Sequence, residues 1–172
     1  MRQLYRRKQS SRGNSYIQRK IIGFNEAARF KHYPVLTDLD NRECAPPYRN
    51  ELISATLNEK MIFQIAVREV EAWLLADREN FPRFLGVSKN RFQRDPESID
   101  NPKQYIFSMV RQSRNRRIRD GVLPSDSTAR IGPLYNPLLI EFVSNSWDVS
   151  IAKEYSNSFR RFLNKLNEAH AT

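Results

Sequence analysis

The chain is poor in the residues that build disulfides and zinc centres. A single cysteine, Cys44, excludes an internal disulfide, and a reduced, cytoplasmic setting is the simplest expectation. With only two histidines, His32 and His170, beside that cysteine, a His/Cys zinc site is not expected. Any metal should be held by oxygen. No apolar run approaches the roughly 20 residues that span a bilayer. Nor does an apolar stretch follow the N-terminal charges, so neither a membrane span nor a secretory signal is expected. Acids are scarce near the start: Glu26 alone faces Arg2, Arg6, Arg7, Lys8, Arg12, Arg19, Lys20, Arg29 and Lys31.

What is present fits one domain. The 172 residues are 40% hydrophobic and 11% aromatic, which excludes disorder throughout. A chain of this size buries about two-thirds of its unfolded surface. The net charge of +10 is concentrated in the first 31 residues and in Arg111, Arg114, Arg116, Arg117 and Arg119. The arginine fork suits phosphate oxygens, so nucleic acid or another polyphosphate is the partner these basic clusters predict. A merely solubilising charge is the alternative.

Residues 1–14 are polar and basic without periodicity and read as a flexible arm. From Ser15, Ile17, Ile21, Ile22, Phe24 and Ala28 trace a helical stripe, with Asn14 or Ser15 as its cap. Val35, Leu36 and Thr37 read as a short strand. Pro46-Pro47 is expected to stop regular structure, with a helix over 48–58. Met61 to Val67 is the best strand of the chain, running into a helix over 68–77. Strand, helix, strand, helix predicts a parallel sheet within a single α/β domain over 15–172. Asp77 is expected to cap a helix ending at Gly86, and Asn101-Pro102 to open another. Residues 114–134 read as a long exposed loop. Helices over 137–145 and 157–169 then give a helical C-terminal part, with Phe159, Phe162, Leu163 and Leu166 facing inward.

The sharpest feature is Asp38-Leu39-Asp40 at the end of the first strand. Open α/β sheets place ligands beyond the carboxyl ends of their strands. On extended backbone both carboxylates point the same way and can share a hard cation such as Mg²⁺ or Mn²⁺. Such a pair also suits a turn or a cap. The second strand delivers Glu69 and Glu71, which share a face if extended and diverge by about 200° if helical. Four acids beside a basic surface form a candidate phosphodiester-cleaving site: Asp38 and Asp40 as metal ligands, with Glu69 and Glu71 as further catalytic carboxylates. At a helix start, both glutamates are also favoured simply by the macrodipole. Trp73 is expected in the core, and Cys44 beside the site as a partly buried thiol.

The segments Val35-Leu36-Thr37-Asp38-Leu39-Asp40 with Glu43-Cys44, then Val67 through Asp77, then Asn101-Pro102-Lys103, resemble a bacterial family, domain of unknown function 4276, which is regarded as Toprim-like. The resemblance runs from about Gly13 to the C-terminus. It implies a three-layer sheet flanked by helices, with Asp38 and Asp40 as the D-x-D pair that binds Mg²⁺. It also implies an ATPase partner and a place in a phage-defence module, by analogy with related small Toprim-like proteins. The glutamate-bearing first strand of that pattern has no counterpart here, so the chain reads as N-terminally shortened. The expected function is a Mg²⁺-dependent, Toprim-like nuclease acting on nucleic acid. A non-catalytic nucleic-acid- or ATPase-binding subunit and an inactive truncated remnant are the alternatives.

Overall fold

The structure is a computed structural model that describes residues 13–53, 56–126 and 128–171. The expected basic arm therefore lies, over residues 1–12, outside the described residues. The chain is α/β. Helix α1 (Gly13–Ala27) leads to strand β1 (Tyr33–Asp38), helix α2 (Ala45–Leu52) and strand β2 (Met61–Ala66). The two strands pair in parallel, with Tyr33 opposite Met61 and Asp38 opposite Ala66. Parallel neighbours need a crossover, and α2 supplies it. The rest is helical: α3 (Glu71–Leu75), α4 (Asn80–Leu85), α5 (Pro102–Val110), α6 (Arg116–Val122), α7 (Tyr135–Asn145), α8 (Val149–Tyr155) and α9 (Asn157–His170).

All six residues of β2 are buried, whereas β1 alternates, with Val35 and Thr37 inward and Pro34 and Leu36 outward. β2 is thus covered on both faces, and β1 lies at an edge. Pro34 fits there because the odd-numbered amides of β1 face β2: Tyr33 donates to the Lys60 carbonyl and, beyond the strand, Leu39 donates to the Ala66 carbonyl. The missing amide at residue 34 would have pointed away from the ladder, so no sheet hydrogen bond is lost.

Three apolar clusters organise the molecule. One joins α1, β1, α2 and β2 through Ile17, Ile21, Val35, Tyr48, Leu52 and Phe63. A second, mainly helical one packs Leu75, Phe81, Ile106, Val110, Ile118 and Phe142. The third welds β2 to the helices through Ala66, Trp73, Ala152 and Phe159. Trp73 is buried as expected, and its indole N–H donates to Ser158 Oγ at 2.8 Å. Asp77 and Gly86 also behave as expected. Asn80 N donates to Asp77 Oδ1 at 3.0 Å, and Gly86 ends α4 in the left-handed region at φ 68.

Several boundaries differ from the sequence reading. Pro46 and Pro47 do not stop structure but sit in the first turn of α2, where a missing amide costs nothing. That helix ends at Leu52, short of the expected 58. The helix expected from Arg68 starts only at Glu71. Residues 114–134 are not a bare loop: Asn115 caps α6 by accepting from Ile118 N, and Ile118 and Val122 are buried. The seven residues of α8, capped by Asp148, form a helix that the sequence pattern does not announce.

Candidate functional site

β1 and β2 end at the same edge, and both chains leave the sheet through residues in the left-handed region. Asp40 has φ 54 and Arg68 has φ 62, and Asp40 N donates to the Arg68 carbonyl at 2.7 Å. Asp tolerates that conformation through its short polar side chain, but for Arg it costs about 1 kcal/mol or more. The two turns are locked to one another. Their effect is to throw the following residues, Glu69 and Glu71, back across the strand ends.

Asp38 Oδ1 accepts from Val70 N at 2.9 Å, so the last residue of β1 clamps the turn after β2. Glu69 Oε2 accepts from Lys103 N at 3.1 Å, in the first turn of α5. The Lys103 ammonium lies 3.7 Å from Glu69 Oε1 and 3.4 Å from Glu71 Oε1. Tyr135, at the start of α7, donates its hydroxyl proton to Glu71 Oε1 at 2.9 Å. The side chains of Glu69 and Glu71 are only 17% and 10% exposed, so these are sheltered contacts rather than solvated surface pairs. Arg68 turns outward to Asp100, at 3.1 Å.

The electrostatics follow from this crowding. Burial first, then Glu71, with smaller contributions from Asp40 and Glu69, push the Asp38 carboxyl up to about 7, against the Val70 amide that lowers it. Glu69 is raised for the same reasons, burial and then Glu71, with Lys103 opposing. Burial works against the Lys103 charge, but Glu71 and Glu69 overcome it and hold the ammonium above its ordinary range. Burial and Glu71 likewise raise the Tyr135 hydroxyl, which stays a proton donor.

The four acids expected at the strand ends are thus brought to one edge, by a route the sequence does not show. Glu69 and Glu71 meet on one ammonium although neither lies in a strand. Asp40 is not on extended backbone, so the period-two argument does not govern it; it is exposed, while Asp38 is part-buried. Among the described residues, no three His, Cys, Asp or Glu side chains are arranged to hold one metal ion by themselves. Sequence reasoning misses Lys103 and Tyr135 as site residues. In sequence Lys103 reads only as part of a helix start, and nothing in its neighbours signals a carboxylate partner. Cys44 is exposed, not partly buried, and precedes α2.

The basic cluster is less free than expected. Arg117 forms a two-pronged pair with Glu141, at 3.0 and 2.6 Å. Arg116 pairs with Asp120, and Arg119 donates to the Ser113 carbonyl at 2.9 Å. Arg111 and Arg114 are exposed and make no ion pair among the described residues.

These features define an α/β protein whose parallel strand pair presents a carboxylate cluster organised around one lysine. Compared with protein-family models, with curated proteins and with solved structures, the chain matches none. No helix among the described residues is long and apolar enough to cross a membrane.

Proposed function

We propose that the strand-end cluster is a divalent-cation site that processes phosphodiester bonds in nucleic acid, on a Toprim-like framework of the kind the D-x-D and Glu-x-Glu-Ala-Trp segments resemble. The observation that carries this reading is the excess of negative charge. Asp38, Asp40, Glu69 and Glu71 crowd one edge against the ammonium of Lys103. Asp38 is pushed up to about 7 by burial first and then by Glu71, with smaller contributions from Asp40 and Glu69. A hard cation relieves that repulsion. Its coordination needs only one or two carboxylates, with waters and substrate phosphate completing the shell. Asp38 and Asp40 would be its holders in this reading.

When bound, Mg²⁺ or Mn²⁺ supplies charge neutralisation at phosphate and a more acidic water. The chain's own groups do the rest. Glu69, raised above its ordinary range by burial and by Glu71, is the carboxylate suited to accept a proton. Lys103 orients Glu69 and Glu71 through its contacts to both carboxylates. Tyr135 fixes the rotamer of Glu71 by its hydrogen bond.

A non-catalytic role as a nucleic-acid- or ATPase-binding subunit, in a phage-defence module or elsewhere, is the second reading. It is favoured by the position of Lys103, which already neutralises part of the cluster. Calorimetric titration of Mg²⁺ and Mn²⁺ into chelator-stripped protein separates the two, with Asp38→Asn/Asp40→Asn alongside. Binding lost in the variant, accompanied by chelator-sensitive cleavage of labelled DNA or RNA, is the expected result. Equal and negligible heats in both proteins would reject the metal site and leave the binding role.

A further inference from the structure

Away from the acids, three cations converge. Arg49 of α2 and Arg161 and Lys165 of α9 line a cavity of about 460 Å³, against one acid, Glu43. None of the three makes an ion pair among the described residues, unlike Arg116, Arg117 and Arg119. Arg49 and Arg161 each act on Lys165. The Lys165 ammonium is held below its ordinary range by burial first, then by Arg49 and Arg161, with Glu168 opposing.

The cavity runs along the open edge of β2. Lys165 Nζ donates to the Phe63 carbonyl at 3.3 Å and to Gln64 Oε1 at 3.1 Å, while Gln64 Nε2 donates to the Ile65 carbonyl at 3.0 Å. These bonds decide between occupants. An added peptide strand would have to displace both side chains from the carbonyls it needs. A compact anion need not, because an ammonium has three protons and Lys165 uses two. The third proton and the guanidinium forks of Arg49 and Arg161 remain for tetrahedral oxygens. A second cavity, of about 360 Å³, shares Arg49 and Lys165 but is also lined by Glu59 and Glu168, which places the anion in the first. At its other end the first cavity reaches Leu39 and Val67, next to Asp38 and Arg68.

We propose that Arg49, Arg161 and Lys165 form a phosphate-binding site, taking the phosphate of a nucleic-acid backbone or of a free phosphate compound. Only the nucleic-acid source rests on reading the acid cluster as a phosphodiester-processing centre. The site itself does not.

The test uses the full chain, with pyrophosphate followed by calorimetry and a short fluorescent single-stranded oligonucleotide followed by anisotropy. Arg161→Gln/Lys165→Gln is expected to weaken pyrophosphate binding by about tenfold or more, the worth of one charge-assisted contact. Arg111→Gln/Arg114→Gln should leave it unchanged, as should Asp38→Asn/Asp40→Asn, which separates this site from the metal reading. Parallel loss of oligonucleotide binding assigns the backbone source; loss for pyrophosphate alone assigns free phosphate. Arg161→Gln alone, at an exposed position, serves if the double variant fails a folding check by circular dichroism. Equal pyrophosphate binding by parent and variant, or none by the parent, overturns the site. A polyglutamate peptide that binds as well and is lost in the same variant overturns the phosphate assignment in favour of an acidic partner.

Discussion

Lys103 Nζ stands 3.4 Å from Glu71 Oε1, tying the first turn of α5 to the first residue of α3. Without the ammonium, Glu71 keeps Tyr135 but faces Glu69 uncompensated. Lys103→Met is therefore expected to destabilise the fold by about 1–3 kcal/mol. The low end of the range for sheltered pairs applies, because the lysine side chain is one-third exposed to screening water. Urea denaturation measures it, and an unchanged midpoint would contradict a supporting role for the pair.

Stability should fall as pH rises from about 4 to about 7. The Asp38 carboxyl moves from 3.8 in an ordinary setting to about 7 in the fold. Across that interval the native state holds a proton that the unfolded chain has released, so raising pH favours unfolding. Glu69, also raised, acts in the same direction. Asp126, Glu141 and Asp148 are lowered, and their stabilisation is lost only on the acid side of this window. Thermal melts across the window should show the decline, and Asp38→Asn should flatten it. An equally steep slope in that variant would mean that another group is responsible.

Ser158 is a junction. Its Oγ accepts from the Trp73 indole at 2.8 Å and donates to Glu97 Oε1 at 2.6 Å, while its amide donates to the same carboxylate oxygen at 2.8 Å. Ser158→Ala leaves the buried indole N–H without that acceptor, which costs about 1–3 kcal/mol. Denaturation followed by tryptophan fluorescence should report both the lower midpoint and an altered native emission.

Gly132 sits where two backbone segments touch. A Cβ there would lie 2.4 Å from the Gly121 carbonyl oxygen and 2.5 Å from that of Leu123, and its own amide donates to Val122. Neither carbonyl is a movable side chain, so Gly132→Ala must push the connection off α6. The expected loss is about 1–3 kcal/mol or more, read as a lower melting temperature. At Gly23, where an added Cβ would meet nothing within 4 Å, the same change should be tolerated.

The strands were legible because their signals are local. The β-branched run at 61–67 and the apolar stretch ending in Asp38 are complete within a few residues, and their parallel pairing follows from the helical pattern between them. The helix start capped by Asn101 was also legible, whereas those capped by Asn115 and Asp148 were not. Pro46-Pro47 was misread locally, as a stop rather than a helix start; the α6 boundary failed because it depends on what the segment packs against. Residues 114–134 look like a loop because they combine arginines, Gly, Pro and Ser/Thr, and only Ile118 and Val122, buried against α5 and α7 residues, make α6 worth forming.

The sequence by itself determined the carboxylates, their place at strand ends and the basic balance of the chain, since these rest on residue identity and short spacing. The tertiary structure alone decided how the charges are paired. Lys103 and Tyr135 reach Glu71 across long separations, Arg117 is taken by Glu141, and Arg49 joins Arg161 and Lys165 from a distant part of the chain. Coulombic and hydrogen-bonding energies depend on distance in space, and that distance is fixed only when the apolar clusters close.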